Sequence, residues 1–440
     1  MASTTPAPPT AAAGAASYGR GARILSVGIA STGLFTFAYF AVASHVLPGA
    51  QYGALSTLWA VLFVVISVIY RPVEQLLSRT IADRIARGLT AGHPLRVPLS
   101  IQAAFAALFL AIALALRRPI EDTFDGSSAL YWVFVGATLA YAASYFARGY
   151  LAGHQWFGLY GALVLFESVS RFCFPVAVAV GLASGQTAVA LGIVAAPCAS
   201  LVVVPWAFAR HAGARERTEA VAPARQGALT MRAGAGFAAS VAAIQLAEQA
   251  LLNASVLTVR ASAGSVLAGV VFNALLITRA PLQLFQAVQT SLLPHLSGLE
   301  ATEGQAAFAR AIRTTILVIA AFAAAVALGL VLVGPYVMDL VFGKGYSYDR
   351  FGLAVIALGM GLHLTAGTFN QAALARGQAR AAAAVWLGSA TLFVVWMLVP
   401  VVGDELLRAE VGYAGAAAVL CALLRALYRR PPTAVATAYS

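Results

Sequence analysis

The chain carries little charge for its length. Only 10% of its 440 residues are charged, whereas soluble domains average about 25%. Lys344 is the only lysine, so arginine supplies the rest of the 28 cations. Together with 61% hydrophobic residues and a mean hydropathy of +0.83, this low charge excludes a soluble globular protein.

Other absences exclude further classes of protein. The three cysteines, Cys173, Cys198 and Cys421, lie in apolar stretches, and their spacing offers neither a disulfide framework nor a metal site. The sequence shows no nucleotide-binding loop and no paired catalytic carboxylates in a soluble domain, so it predicts neither an enzyme nor a cofactor. The net charge of +12 is spread over short loops and forms no single basic patch, which argues against nucleic acid as a partner.

Apolar stretches that are long enough to cross a bilayer recur along the whole chain. A transmembrane helix needs about 20 apolar residues, and this window indicates twelve spans. They cover residues 24-47, 54-76, 97-116, 129-148, 158-182, 187-209, 234-258, 264-290, 312-334, 351-374, 381-401 and 410-428. We therefore expect an all-α polytopic membrane protein, since helices satisfy their backbone hydrogen bonds internally.

The arginines give these spans a direction. If the N-terminus is cytoplasmic, most arginines fall in cytoplasmic segments and few fall in outer loops. The first 22 residues are rich in Ala, Pro, Thr and Ser and are expected to be disordered. The first apolar run is long enough to act as an uncleaved anchor. The sequence thus predicts a multi-pass protein of the plasma membrane with both termini in the cytoplasm.

A polar segment near residue 220 separates two groups of six spans. Pro72 follows Arg71 in the second span, and Pro281 lies two residues after Arg279 in the eighth, which indicates a repeat. Both halves begin on the cytoplasmic side, so the repeats are parallel. The predicted organisation is a disordered cytoplasmic N-terminus (1-22), a first six-helix bundle (23-210), a cytoplasmic linker (211-232), a second six-helix bundle (233-430) and a cytoplasmic tail (431-440).

Three arginines and three glutamates lie inside the spans. They are Arg71, Glu74, Glu167, Arg171, Glu248 and Arg279. A charged side chain at the centre of a bilayer costs about 2.5–3.5 kcal/mol on insertion scales, so such residues face a water-filled cavity or a partner. The charges therefore predict an internal cavity, which suggests transport, and the arginines favour a cargo with an anionic head.

Further polar residues extend this predicted cavity. Gln245, Gln249 and Asn253 share a helical face with Glu248. Gln75 in the second span and Gln283 in the eighth are also assigned to the cavity. We expect Pro72 and Pro281 to bend their helices and to act as hinges or gates.

The partners of these charges stay open from the sequence alone. Arg71 with Glu74, and Glu167 with Arg171, have the spacing of pairs within one helix. Glu248 is either a protonatable coupling residue or a neutral, hydrogen-bonded acid. Arg279 either pairs with Glu248 or awaits an anionic ligand. The lone His363 is expected to be a satisfied core residue.

Several stretches resemble the multidrug/oligosaccharidyl-lipid/polysaccharide (MOP) flippase superfamily, and most of all its Wzx-type polysaccharide exporters. These stretches are Gly149 to Phe157 followed by Arg171, Arg279 to Leu282 continuing to Leu293 and Pro294, Gly334 to Tyr346, and Phe369 to Gly377. The resemblance implies a MATE-like architecture, with two six-helix bundles around a central cavity and alternating access. It also implies the transfer of a polyprenyl-diphosphate-linked oligosaccharide from the inner to the outer leaflet.

The resemblance further implies roles and partners. Arg71, Arg171 and Arg279 would bind the diphosphate, Gln and Asn side chains would surround the sugars, and the lipid tail would leave through a lateral gap between the bundles. The implied partners are the lipid-linked glycan, the bilayer and polysaccharide assembly enzymes, with the protein working as a monomer. No cofactor is expected, and either H⁺ or Na⁺ is left open as a coupling ion.

Three alternatives remain open. A MATE-type cation-coupled drug antiporter also has twelve spans but favours an acidic cavity, whereas here the intramembrane acids and cations balance. A membrane glycosyltransferase resembles chains with an acidic first outer loop, and the loop at residues 48-53 has no acid. A non-transporting scaffold is the third alternative. Lipid II flippases of the superfamily usually have two more C-terminal spans than the twelve predicted here, which argues against lipid II as the cargo.

Overall fold

The computed structural model describes residues 28, 31–86, 95–206, 231–279, 304–376 and 378–430. Nearly all of these residues are helical, and no strand occurs among them. The helices are α1 (31–46), α2 (Gly49–Ile69), α3 (Arg71–Ala86), α4 (Arg96–Ala115), α5 (Arg117–Thr123), α6 (Ser128–Gly153), α7 (Phe157–Ala179), α8 (Gly185–Ser200), α9 (Met231–Ala263), α10 (Ser265–Arg279), α11 (Gly304–Phe342), α12 (Arg350–Ala375), α13 (Ala379–Leu398) and α14 (Glu405–Arg429).

Each predicted span overlaps one or two of these helices. Parts of the first, sixth and eighth predicted spans lie outside the described residues. Ten described stretches are long and apolar enough to cross a membrane, among them Gly49–Ala82, which joins α2 and α3. The first and eighth predicted spans correspond to α1 and to the shorter apolar helix α10. The predicted all-α polytopic architecture is therefore confirmed. The tails 1-22 and 431-440 and most of the linker 211-232 lie outside the described residues, and the predicted residue bounds of the domains stay a prediction.

The last span starts earlier than its hydropathy indicates. It was predicted from residue 410, but α14 begins at Glu405 because Asp404 caps it. The Asp404 carboxylate accepts hydrogen bonds from the backbone N–H groups of Leu406 and Leu407, at 2.8 and 3.1 Å. Arg408 and Glu410 are consequently buried helix residues.

Tyr70 separates α2 from α3 at the charged end of the second span. Its backbone still accepts from the N–H of Glu74 at 2.9 Å, so the chain continues in nearly the same direction. Pro72 cannot donate to the carbonyl of Val68, four residues earlier, which removes one helix hydrogen bond at this point. The break puts Arg71 at the first position of α3.

The helices of the first half pack mainly on one another. α6 contacts α3, α8 and α2, and α7 contacts α8. Gly149 of α6 lies against the backbone of Glu74, where a Cβ atom would come within 2.8 Å of the Glu74 carbonyl oxygen. Small residues permit such close helix approach in membranes, and here the approach places Glu74 beside α6.

One close contact between the two halves lies where α2 begins. α9 packs on α2, and Gly53 of α2 lies so close to the backbone of Ser265 that a Cβ atom would overlap it. The Tyr52 hydroxyl donates to Asn273 of α10, and the ring centres of Phe40 and Phe272 lie 4.6 Å apart. The arginine distribution predicts this closed end to be the outer one.

Candidate functional site

Arg71 reaches from the first half of the protein to the second. It is an exposed residue of α3, and its Nη1 donates to Oε1 of Gln245 on α9 at 2.9 Å. Among the described salt bridges, none includes Arg71. A guanidinium has five N–H donors, so a single bond to a neutral amide leaves most of its donors available to an anion.

Gln245 makes further contacts within the second half. Its Nε2 donates to Oε2 of Glu248 at 3.1 Å. The other carboxylate oxygen of Glu248 lies 4.0 Å from Nε2 of His363 on α12. The Glu248 side chain is 20% exposed and that of His363 only 4% exposed. Polar contacts therefore run from Arg71 through Gln245 and Glu248 to His363, which the sequence had assigned to the core.

Glu74 and Glu167 accept hydrogen bonds from side chains on other helices. Glu74 accepts a hydrogen bond from the Tyr160 hydroxyl of α7 at 2.9 Å. Glu167 accepts from the Ser144 hydroxyl at 3.0 Å and from Nη2 of Arg148 at 2.5 Å. The intrahelical pairs of Arg71 with Glu74 and of Glu167 with Arg171 are absent from the salt bridges of the described residues. Each acid instead accepts hydrogen bonds from neighbouring helices.

Arg148 is a member of the site that the sequence analysis missed. The predicted fourth span ended at residue 148, so Arg148 was assigned to the cytoplasmic end, but α6 continues to Gly153. Its guanidinium lies 4.7 Å from the centre of the Tyr145 ring. The signal was the helical spacing of Tyr145 and Arg148 with Ser144, which predicts one polar face on α6.

Arg171 is enclosed within the first half. It is 2% exposed, and its guanidinium carbon lies 4.5 Å from the centre of the Trp59 ring, where the π face attracts a cation. Its Nη1 also donates to the Tyr141 hydroxyl at 3.4 Å. The structure therefore places Arg171 among α2, α6 and α7, away from the Arg71 contact between the halves.

Arg279 ends the described part of α10. Its Nη2 donates to the backbone carbonyl of Leu252 on α9, and no salt bridge to Glu248 occurs among the described residues. Predicted cavity residue Gln283 and predicted hinge Pro281 lie outside the described residues. The Arg279 side chain thus ties α10 to α9 about two helical turns beyond Gln245.

The remaining predicted polar residues divide between a buried pair and an exposed position. Nδ2 of Asn253 donates to the side-chain and backbone oxygens of Gln249, both at 3.1 Å, and both residues are buried within α9. Gln75 is exposed on α3, one turn beyond Arg71. The structure therefore brings Arg71, Gln245 and Glu248 together at the junction of the halves.

Solved structures with a similar arrangement of helices include MATE transporters. An inward-facing multidrug resistance MATE family transporter of the MOP superfamily has a TM-score of 0.68 at 13% identity, covering 92% of this chain and 97% of that one. The Vibrio cholerae MATE transporter VcmN in the bent form has a TM-score of 0.61 at 16% identity, over 94% and 99%. An outward-facing MATE transporter of the superfamily has a TM-score of 0.62 at 14% identity, over 94% of each chain.

These likenesses show the fold. No protein-family model and no curated protein matches the sequence. The chain has the helical fold of the MATE transporters of the MOP superfamily, over more than nine-tenths of its length. The architecture that the sequence resemblance implied is confirmed, whereas the Wzx-type branch stays a prediction.

Proposed function

We propose that this protein moves a polyprenyl-diphosphate-linked oligosaccharide from the inner to the outer leaflet of the plasma membrane by alternating access. The observation that carries the proposal is the exposed Arg71, which stands at the junction of the halves with a neutral amide as its hydrogen-bond partner. The fold that the chain shares with solved transporters supports a transport role. The product would serve the synthesis of a cell-surface polysaccharide, with the assembly enzymes as partners.

The chemistry of the cargo fits an arginine at this place. A diphosphate with attached sugars does not cross hydrocarbon unaided, because its charges and hydroxyls lose their hydration there. Arginine binds phosphate oxygens through paired, charge-assisted hydrogen bonds. Gln75, exposed one turn from Arg71, supplies an amide group for sugar hydroxyls. The transporter would act as a monomer and draw on H⁺, Na⁺ or the membrane potential.

The test is deletion of the gene in the native host, followed by mass spectrometry of polyprenyl-linked intermediates. We expect one lipid-linked oligosaccharide to accumulate while the matching surface polymer is lost. The wild-type gene and Arg425→Gln, a change of an exposed arginine on α14, should both restore the polymer, whereas Arg71→Gln should not. Normal intermediates in a deletion strain that lacks other transporters of this fold would contradict the proposal.

A cation-coupled drug antiporter is the second candidate. The partly exposed Glu248, beside Gln245 and His363, favours it, since a carboxylate at the junction suits a cationic drug or a coupling proton. The multidrug resistance transporter with the same fold also supports it. An antiporter predicts that deletion raises susceptibility to cationic drugs and leaves the polyprenyl-linked intermediates unchanged.

A further inference from the structure

An apolar groove lies on the first half of the protein, between α2 and α4. Its volume is about 580 Å³, within the range of about 300–1,000 Å³ that is usual for ligand pockets. Val61 and Val65 form the α2 wall, Phe105 and Ile112 form the α4 wall, and Ala242 of α9 closes one side. The groove thus includes a residue of each half.

The α4 wall faces the surroundings of the helix bundle. Phe105, Leu108 and Ile112 are 38%, 56% and 48% exposed, and α4 is one of the apolar helices that are long enough to cross a membrane. A groove with this wall in a bilayer is reached sideways by a hydrocarbon chain, without passage through water.

The groove lies within one helical turn of Arg71. Its lining includes Val68 and Ala242, which precede Arg71 and Gln245 by three residues each. Three residues advance a helix by about 4.5 Å and return to the same face. α2 and α9 run in opposite directions through the bilayer, and Arg71 donates to Gln245, so this cationic contact lies within one helical turn of both the α2 wall and the α9 side of the groove. An apolar groove with a cation beside it complements a lipid with an anionic head.

We propose that the groove holds the first isoprene units of a polyprenyl diphosphate while Arg71 binds its diphosphate. The inference rests on the proposed function and moves the lipid tail from the gap between the bundles to a place beside α2 and α4. Val61 to Ile69 spans about 12 Å of helix axis, so the groove takes the part of the chain next to the head. The rest of the chain stays in the bilayer.

The groove and the arginine have different tasks. Bilayer hydrocarbon is as apolar as the groove, so the chain gains little free energy by entering it. The charged contact at Arg71 supplies the binding energy. The groove sets the direction from which the isoprene chain reaches Arg71, and it selects for the shape of that chain.

Photolabelling tests this placement. The protein is purified, inserted into phosphatidylcholine nanodiscs, and exposed to a polyprenyl diphosphate that carries a diazirine on its isoprene units nearest the head. We expect labelled peptides from α2 and α4. Two groove-filling variants from opposite walls, Val65→Trp and Ile112→Trp, should suppress this labelling. Leu114→Trp, at a 50% exposed position of α4 that does not line the groove, should retain it.

The head is tested separately from the chain. Arg71→Gln should lower labelling by about tenfold or more, the loss expected for a charged hydrogen bond. Equal labelling by a phosphatidylglycerol probe would identify a general membrane-lipid pocket and overturn the proposal, as would labelling confined to helices other than α2 and α4. If deletion causes the lipid-linked intermediate to accumulate while the groove stays unlabelled, only the groove assignment fails. If no intermediate accumulates, the proposed function fails whatever the probe labels.

Discussion

Arg148 and Glu167 form a buried ion pair whose energy can be bounded from the structure. The two side chains are 13% and 5% exposed and meet at 2.5 Å. Removing Arg148 leaves the Glu167 carboxylate with the Ser144 hydroxyl as its remaining donor among the described hydrogen bonds. An uncompensated buried charge of this kind costs about 3–5 kcal/mol, so Arg148→Met should lower the free energy of unfolding by that amount.

The double variant separates the pair from its members. Replacing both partners of a buried ion pair by apolar residues of similar size is often neutral or stabilising. Arg148→Met with Glu167→Met should therefore recover most of the stability that Arg148→Met loses. Unfolding in mixed micelles of mild detergent and sodium dodecyl sulfate, followed by tryptophan fluorescence, gives the free energies for the double-mutant cycle.

The chain contains a matched control for this prediction. Arg117 and Glu121 also form a salt bridge, at 2.8 Å, but the Arg117 side chain is 48% exposed. Because exposed pairs are screened by water, Arg117→Met should leave the unfolding transition nearly unchanged. The reasoning is refuted if Arg148→Met costs less than about 1 kcal/mol, or if the losses of the two single variants simply add in the double variant.

Three further variants test the junction between the halves. Arg71→Gln should weaken the binding of polyprenyl diphosphate by about tenfold or more, as measured by photolabelling at increasing probe concentrations; unchanged affinity would contradict the assignment. Glu248→Gln should remove the dependence of transport on an imposed pH or sodium gradient in proteoliposomes, with lipid binding retained; a wild-type gradient response would exclude Glu248 as the coupling residue. Gly53→Leu should force α2 away from Ser265, so that a cysteine at the buried position of Asn273, in a cysteine-free background, reacts faster with a maleimide; an unchanged rate would show that this end does not open there.

The helices could be predicted from the sequence because the bilayer sets their length. Within the described residues, every window of about 20 apolar residues overlaps a helix, from α1 to α14. The ends were less predictable, since they depend on local hydrogen bonds. α14 begins at its Asp404 cap and not at its first apolar residue, and α6 continues five residues beyond Arg148 to Gly153.

The members of the site were more predictable than their contacts. A charged residue inside a predicted span is easy to recognise in the sequence. Arg71 and Glu248 do lie at the junction of the halves, and Glu74 accepts a hydrogen bond within the first half. Glu167 and Arg171 are one turn apart, yet Glu167 meets Arg148 of α6 while Arg171 meets Trp59 of α2. That choice depends on how neighbouring helices are rotated about their axes, which the spacing within one helix does not contain.

The geometry of the junction reduces the choice between the two candidate functions to two side chains. Arg148 is paired with a carboxylate, Arg171 is enclosed against Trp59, and Arg279 donates to the backbone of Leu252. Arg71 is the exposed one of these arginines, so it is the one placed to bind cargo. Glu248 is the acid on the opposite side of Gln245. An anionic cargo must lose affinity in Arg71→Gln and keep it in Glu248→Gln, because the charge that attracts it is the guanidinium. A cationic drug must show the reverse order, so binding measured for these two variants decides the sign of the cargo before its identity is known.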